Sequence, residues 1–273
     1  MAQTSQIQWT DATWNIARGC TKVDEDCKFC YMYRDSFDNT RYNPLKVVRT
    51  KTVFDMPLKY KETKSVAWDG RPLIFTCSLT DFFHEAIDGY RHEAWDIIRQ
   101  CPHLIFQILT KRPERIAKCL PADWGYGYEN VWLGTSCGSQ QSINRAEILA
   151  KFDTDCIKFL SLEPLHGEID LTTIQVGIIH PDNDGYGVDL LKAFDWVIVG
   201  GESGNENGKY RYRPCDIELI NEIVHECKIS SIPVFVKQMG THLSKQLNMT
   251  DRHGGNIDDF PVHLRIRQFP KTK

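Results

Sequence analysis

A (β/α) barrel, complete or partial, is the fold class this sequence predicts, and three observations carry that expectation. Short apolar runs rich in Ile, Val, Phe and Leu recur at residues 14–19, 73–77, 104–109, 131–133, 157–160, 196–199 and 234–236, as expected of strands buried on both faces. Amphipathic helical patterns lie between several of these runs. The chain has 273 residues, about what one α/β barrel needs. The expected organisation is therefore one domain over residues 1–273, with 240–273 as a C-terminal capping tail. A doubly wound open sheet is the competing arrangement.

Each element has a local reason. The first run ends at Cys20. Before the third run, Ala94, Ile97, Ile98 and Cys101 form an apolar stripe at helical spacing. Pro113 opens a shorter helix carrying Ile116 and Leu120, and Ser142 caps one carrying Ile143, Ala146, Leu149 and Ala150. Pro214 takes a first helical position ahead of Ile217, Ile220, Ile223, Val224 and Cys227. The stretch 165–193 is long for one crossover, and 181–187 reads as a turn-rich insertion on the mouth side. Trp124, Tyr126 and Tyr128 precede the fourth run and are expected to pack at the opposite end. The tail beyond Met239 has no long apolar period, so it either covers the mouth as a lid or wraps the barrel wall.

Composition narrows the function classes. Hydrophobic residues make up 41% and charged residues 25%, which is ordinary for a globular protein. A formal charge of -3 provides no general attraction to nucleic acid, so any such contact needs a local patch. No run approaches a membrane span, and the start has neither the basic nor the apolar region of a secretion signal. A cytoplasmic location with reduced thiols is expected. Cys77, Cys101, Cys119, Cys137, Cys156, Cys215 and Cys227 then read as small core residues.

Polar groups follow each apolar run. Ser78, Thr80 and Asp81 follow the second, Lys111 and Arg112 the third, and Thr135 and Ser136 the fourth. Ser161 and Glu163 follow the fifth, Gly200, Gly201 and Glu202 the sixth, and Lys237 and Gln238 the seventh. At the carboxyl ends of parallel strands these groups converge on one mouth, where barrel enzymes place their chemistry.

Cys20, Cys27 and Cys30, with six and then two residues between them, belong to the same end. Three thiolates in one loop suit a 4Fe–4S cluster whose fourth iron has no protein ligand. They equally suit a zinc knuckle completed by a histidine or another cysteine. Phe29 and Tyr31 flank the last thiol, and apolar aromatic neighbours that exclude water favour iron. His84, just beyond the second run, is the first candidate for a fourth ligand.

The three cysteines after a first strand, with an aromatic residue before the last, resemble the motif of the radical S-adenosylmethionine superfamily. The first spacing is longer than the common pattern there. A closer resemblance covers essentially the whole chain and is to a family of uncharacterised radical-SAM-like proteins of phages and bacteria. It is carried by Trp9-Thr10-Asp11-Ala12-Thr13-Trp14-Asn15, Cys77-Ser78-Leu79-Thr80-Asp81-Phe82-Phe83 and Leu109-Thr110-Lys111-Arg112-Pro113. Residues 130–134, 160–165, 196–203, 235–240 and 264–270 continue it.

The resemblance implies a 4Fe–4S cluster on Cys20, Cys27 and Cys30, S-adenosylmethionine on the open iron, and an electron donor such as flavodoxin or ferredoxin. Reductive cleavage would generate a 5′-deoxyadenosyl radical that modifies an unidentified substrate, with a nucleobase or nucleic acid among the candidates. Ser78, Thr80 and Asp81 would accept from the methionine ammonium, and Lys111, Arg211 and Arg213 would compete for its carboxylate. Gly200, Gly201 and Glu202 would meet the adenosine, and Tyr31 and Thr135 complete the expected cofactor contacts. Lys111, Glu163 and Lys237 are expected on the substrate side. The rival readings are a zinc-stabilised barrel hydrolase, and a nucleic-acid-binding protein that recognises its ligand through Tyr210, Arg211, Tyr212 and Arg213.

Overall fold

Parallel strands cannot be joined by tight turns, so the order in which the chain lays them down decides the architecture. The computed structural model describes residues 5–35, 43–61, 68–180, 183–207 and 211–272. One parallel sheet contains β1 (Ala12–Trp14), β2 (Leu73–Thr76), β3 (Ile105–Thr110) and β4 (Val131–Ser136). It continues through β5 (Ile157–Leu165), β6 (Trp196–Gly201) and β7 (Val234–Gln238). The seven lie side by side in chain order, each parallel to its neighbours. A doubly wound sheet would reverse direction at a switch point, and this one does not. The fold is mixed α/β with a seven-stranded half-barrel sheet, the partial form of the expected barrel.

Among the described residues no pairing closes β7 onto β1. The C-terminal stretch covers the open edge instead. Val236 N–H donates to the Ile266 carbonyl at 2.8 Å, and Gln268 N–H donates to the Val234 carbonyl at 3.0 Å. This antiparallel cover satisfies backbone groups that an open edge would expose. The tail therefore wraps the wall here rather than lying over the mouth as a lid.

The helices are α1 (Tyr31–Asp35), α2 (Arg91–Gln100), α3 (Asn144–Ala150), α4 (Ile217–Ile229) and α5 (Gly240–Gln246). Several local expectations are corrected. Pro214 does not take the first helical position, because Asp216 caps α4 by accepting from Glu218 N–H and the helix begins at Ile217. Ser142 does not cap α3, because its hydroxyl donates to the Ser139 carbonyl and accepts from Gly138 N–H. The segment opened by Pro113 forms two short 3-10 turns, Pro113–Arg115 and Ala117–Cys119. The expected turn-rich insertion is a hairpin of Gln175–His180 against Asn183–Asp189, with Pro181 and Asp182 outside the described residues.

The first strand also differs. It lies at Ala12–Trp14, and Ala17–Arg18 then pairs antiparallel with Val48–Arg49. The chain leaves the sheet at Asn15, whose side chain accepts from Leu79 N–H at 2.8 Å and donates to the Ser78 hydroxyl at 3.0 Å. Gly19 follows with φ +94°, and a Cβ there would stand 2.3 Å from the Lys46 carbonyl oxygen. Only glycine fits this turn into the cysteine loop.

Strand residues alternate between two cores. One face packs Ile74, Phe106, Ile108, Leu133, Leu160, Val197 and Val236 against the helices. The other carries Leu73, Phe75, Ile105, Trp132, Ile157, Phe159, Trp196, Ile198 and Phe235, joined by Trp9. Phe269 stacks on Trp196 at 5.5 Å, so the tail also seals this inner core. Farther along the same inward positions, Ser136, Ser161, Glu163 and Lys237 line an open cavity. The aromatic floor thus sets the depth of the mouth.

Trp124 packs edge-on against Trp95 of α2 and beside Tyr128, the structural role expected of that run. None of the ten cysteines forms a disulfide, and the seven outside the loop are buried. No helix among the described residues is long and apolar enough to cross a membrane.

Candidate functional site

The cysteine loop begins where β1 and its small hairpin end and returns to the mouth through α1. Asp24 caps the turn Glu25–Cys27 by accepting from Asp26 N–H, and α1 starts directly after Cys30. Tyr33 Oη donates to the Cys20 carbonyl and Tyr31 Oη to the Ser78 carbonyl, both at 2.7 Å. These bonds tie both ends of the loop to the mouth.

Three arginines from three separate stretches of chain hold this loop, each backed by an acid. Arg112, just past β3, donates to the Thr21 carbonyl at 2.9 Å and to its hydroxyl at 2.8 Å, with Asp81 3.3 Å from its guanidinium. Arg145 of α3 pairs with Asp26 and lies 3.1 Å from Asp24. Arg213, beyond β6, donates to the Glu25 carbonyl at 2.8 Å and pairs with Glu202 at 2.7 Å, its guanidinium 5.9 Å from the Phe29 ring centroid. Buried charges persist when paired and hydrogen-bonded, and broken pairs are expensive.

Asp26 is the most deeply buried of these acids. It accepts from Gly138 N–H at 3.0 Å and meets His166 Nε2 at 2.7 Å. Burial alone would push its carboxyl up, but the His166 hydrogen bond, the Arg145 charge and the Gly138 N–H outweigh burial and hold it well below the usual carboxylate range.

Cys20, Cys27 and Cys30 all open on one cavity of about 330 Å³ at the carboxyl ends of the strands. Tyr31, Ser78, Thr80, Asp81, Lys111, Glu163, Gly201, Glu202 and Lys237 line it too, so the fold gathers most of the expected site residues. Thr135 is not among them, because its hydroxyl is fully buried and donates to the Thr110 carbonyl. Gly200 and Gly201 serve the packing of β6 on β7. A Cβ on Gly201 would stand 2.3 Å from the Met239 carbonyl oxygen. Arg213 lines a neighbouring polar groove with Glu25, Gln140 and His166, and Arg211 is exposed. Tyr210 lies outside the described residues.

Asp81 and Glu202 face the cavity but are already engaged. Asp81 accepts from the Thr110 hydroxyl and from the N–H groups of Phe83 and Lys111, at 2.8–2.9 Å. Glu202 takes the Arg213 side chain through both oxygens. Thr80 Oγ1 is buried without a hydrogen-bond partner. Lys111 forms no ion pair among the described residues, and its charge opposes the burial that raises the Cys30 thiol pKa. Lys237 meets Glu163 at 2.6 Å, joining the ends of β7 and β5 over the cavity. His84 is unsuited to be a fourth ligand, since Nδ1 accepts from Ala86 N–H and Nε2 contacts the Thr21 hydroxyl.

Among the described residues no three His, Cys, Asp or Glu side chains converge on one ion position. A 4Fe–4S cluster places each thiolate on a different iron, so its ligands stand apart around a shared space. Three cysteines facing one cavity fit that requirement. Burial, with Asp81 adding to it, pushes the Cys20 thiol up to about 12, so loading a metal group there must displace a proton.

Sequence reasoning placed Arg112 at the mouth without a role and did not assign Asp26, Arg145 or His166 to the site. The available signal was the acidic run 24–26 inside a cysteine loop, which calls for basic partners elsewhere in the chain. A family model described as "Protein of unknown function (DUF5131)" matches residues 4–263. No curated protein and no solved structure matches the chain.

Proposed function

We propose that this chain, which belongs to the DUF5131 family, is a radical S-adenosylmethionine enzyme with a 4Fe–4S cluster on Cys20, Cys27 and Cys30. The observation that carries the reading is the opening of all three thiols on one cavity at the mouth of a parallel half-barrel, lined by polar strand ends. The resemblance of the cysteine loop and strand-end segments to radical-SAM-like proteins supports the same reading.

Held by Cys20, Cys27 and Cys30, the cluster would supply an iron open to S-adenosylmethionine and the one-electron reduction of that cofactor that initiates radical chemistry on a substrate. The chain's own residues bind, orient and exclude water. Lys111, whose charge acts on the Cys30 thiol and which forms no ion pair among the described residues, provides the positive charge a methionine carboxylate requires. Ser78 and Thr80 offer hydroxyls to the amino group. Trp9, Phe75 and Leu109 form an apolar wall that keeps water from a reactive radical. Glu163 and Lys237, across the mouth, face the substrate as a donor–acceptor pair. The substrate class proposed is a nucleobase or nucleic acid.

Anaerobic cleavage assays test this reading. Dithionite-reduced, cluster-loaded protein is expected to form 5′-deoxyadenosine slowly without substrate. Glu163→Gln and Lys237→Met are expected to retain iron, melting temperature and this uncoupled cleavage, while losing substrate-dependent turnover. No nucleoside product from loaded wild-type protein contradicts the reading. Joint loss of fold and cluster in both variants makes the pair a structural tie and removes it from the substrate side.

A further inference from the structure

Of the three arginines that hold the cysteine loop, Arg112 alone reaches one of its thiols. Its Nη1 lies 3.8 Å from Cys20 Sγ, while the same guanidinium is fixed by Asp81 and by both oxygens of Thr21. The side chain is 6% exposed, so solvent competes little for these bonds. Arg145 reaches the loop through carboxylates and Arg213 through a carbonyl and an aromatic face.

A hydrogen bond to a cluster-ligand sulfur draws charge from it and favours the more electron-rich state. We propose that Arg112 is a positioning residue that acts through Cys20 to raise the reduction potential of the centre above that of the same loop without this donor. The inference rests on the reading of Cys20 as a cluster ligand. The couple involved is one electron taken from an external reductant, with no bond made or broken. Asp81 belongs to the same device. It accepts from Thr110, Phe83, Lys111 and Arg112, and so fixes the turn that aims the guanidinium.

A redox titration of anaerobically reconstituted protein, without S-adenosylmethionine and followed by electron paramagnetic resonance of the reduced centre, tests the inference. Arg112→Gln is expected to retain iron and shift the midpoint to more negative potential. Arg112→Lys, which keeps a charge but loses the planar fork, is expected to shift it less in the same direction. Arg145→Lys, which alters an anchor that touches no thiol, is expected to leave it in place. Loaded Arg112 variants with the wild-type midpoint overturn the inference. Loss of iron from both Arg112 variants while Arg145→Lys stays loaded also overturns it, since Arg112 then only holds the loop. Wild-type protein that takes up no iron–sulfur centre overturns the cluster reading and this inference with it.

Discussion

Replacement of Cys20, Cys27 or Cys30 by alanine is expected to reduce iron binding to background and remove the brown absorbance of anaerobically prepared protein. Each of these thiols faces the shared cavity, so a cluster deprived of one loses a third of its protein ligands. Cys77→Ala and Cys137→Ala provide the contrast. Both residues are buried, and burial pushes the Cys137 thiol up to about 11, as suits an inert core thiol. Removing one sulfur from a packed site costs about 1 kcal/mol, which leaves a folded protein able to load iron. Cys77 tests the distinction most sharply, because it lines the same cavity and adopts φ 68° at the end of β2. Iron analysis and absorbance on matched preparations give the result. Equal iron loss in Cys77→Ala and Cys20→Ala would remove the special status of the loop.

Asp26→Ala is expected to cause the largest loss of stability among the charged positions. The substitution leaves Arg145 buried with only half-exposed Asp24 as counter-charge, and Arg145 Nε and Nη1 already lack partners. Breaking a buried pair in this way costs about 3–5 kcal/mol, a large fraction of the roughly 5–15 kcal/mol that holds a domain folded. For a chain of this size the melting temperature should fall on the order of 10 °C. Asp26→Asn retains the shape and part of the hydrogen bonding, so its loss should be smaller. Lys28→Ala, removing an exposed pair with Glu25, should change little. The sign of the pH dependence follows from the same contacts. The Asp26 carboxyl is held below its ordinary value, so its stabilisation is fully present above the usual carboxylate range and fades as the pH falls below it. Thermal melts at neutral pH check the ranking. An Asp26→Ala protein that melts with the wild type would show that the loop is held by its other anchors.

The strand order was legible in the sequence because six of the seven sheet strands begin in an apolar run separated from the next by a crossover. β1 instead lies at Ala12–Trp14, ahead of the run at 14–19 expected for it. The strand ends were less legible. β5 runs to Leu165 and β4 to Ser136, well past the apolar runs that announce them, because the inward positions near the mouth are Ser136, Ser161 and Glu163. An apolar-run rule stops where the cavity starts. The hairpin at Gln175–His180 carries Gly177 and a polar partner strand, so turn chemistry outweighed its alternation. The cysteines, Lys111, Glu163 and Lys237 could be placed at one mouth from strand-end position alone. Arg112 and Arg213 also follow strands, but their hold on the cysteine loop could not be read. Arg145 could not be placed there at all, because Asp26 finds Arg145 119 residues away and His166 140 residues away. Arg145 also sits within a helix, where one buried arginine looks like any surface charge. For the same reason Asp81 and Glu202 read as cofactor acceptors in the sequence, whereas the fold gives each an arginine.

Iron, acid-labile sulfide and zinc analysis of wild-type protein purified and reconstituted without oxygen tests the central claim most directly. The cluster reading predicts about four iron and about four sulfide per chain, with an electron paramagnetic resonance signal after reduction that changes shape when S-adenosylmethionine is added. That change reports an open iron, which a closed structural site lacks. About one zinc per chain without sulfide, or a loaded centre whose signal ignores S-adenosylmethionine, would contradict it.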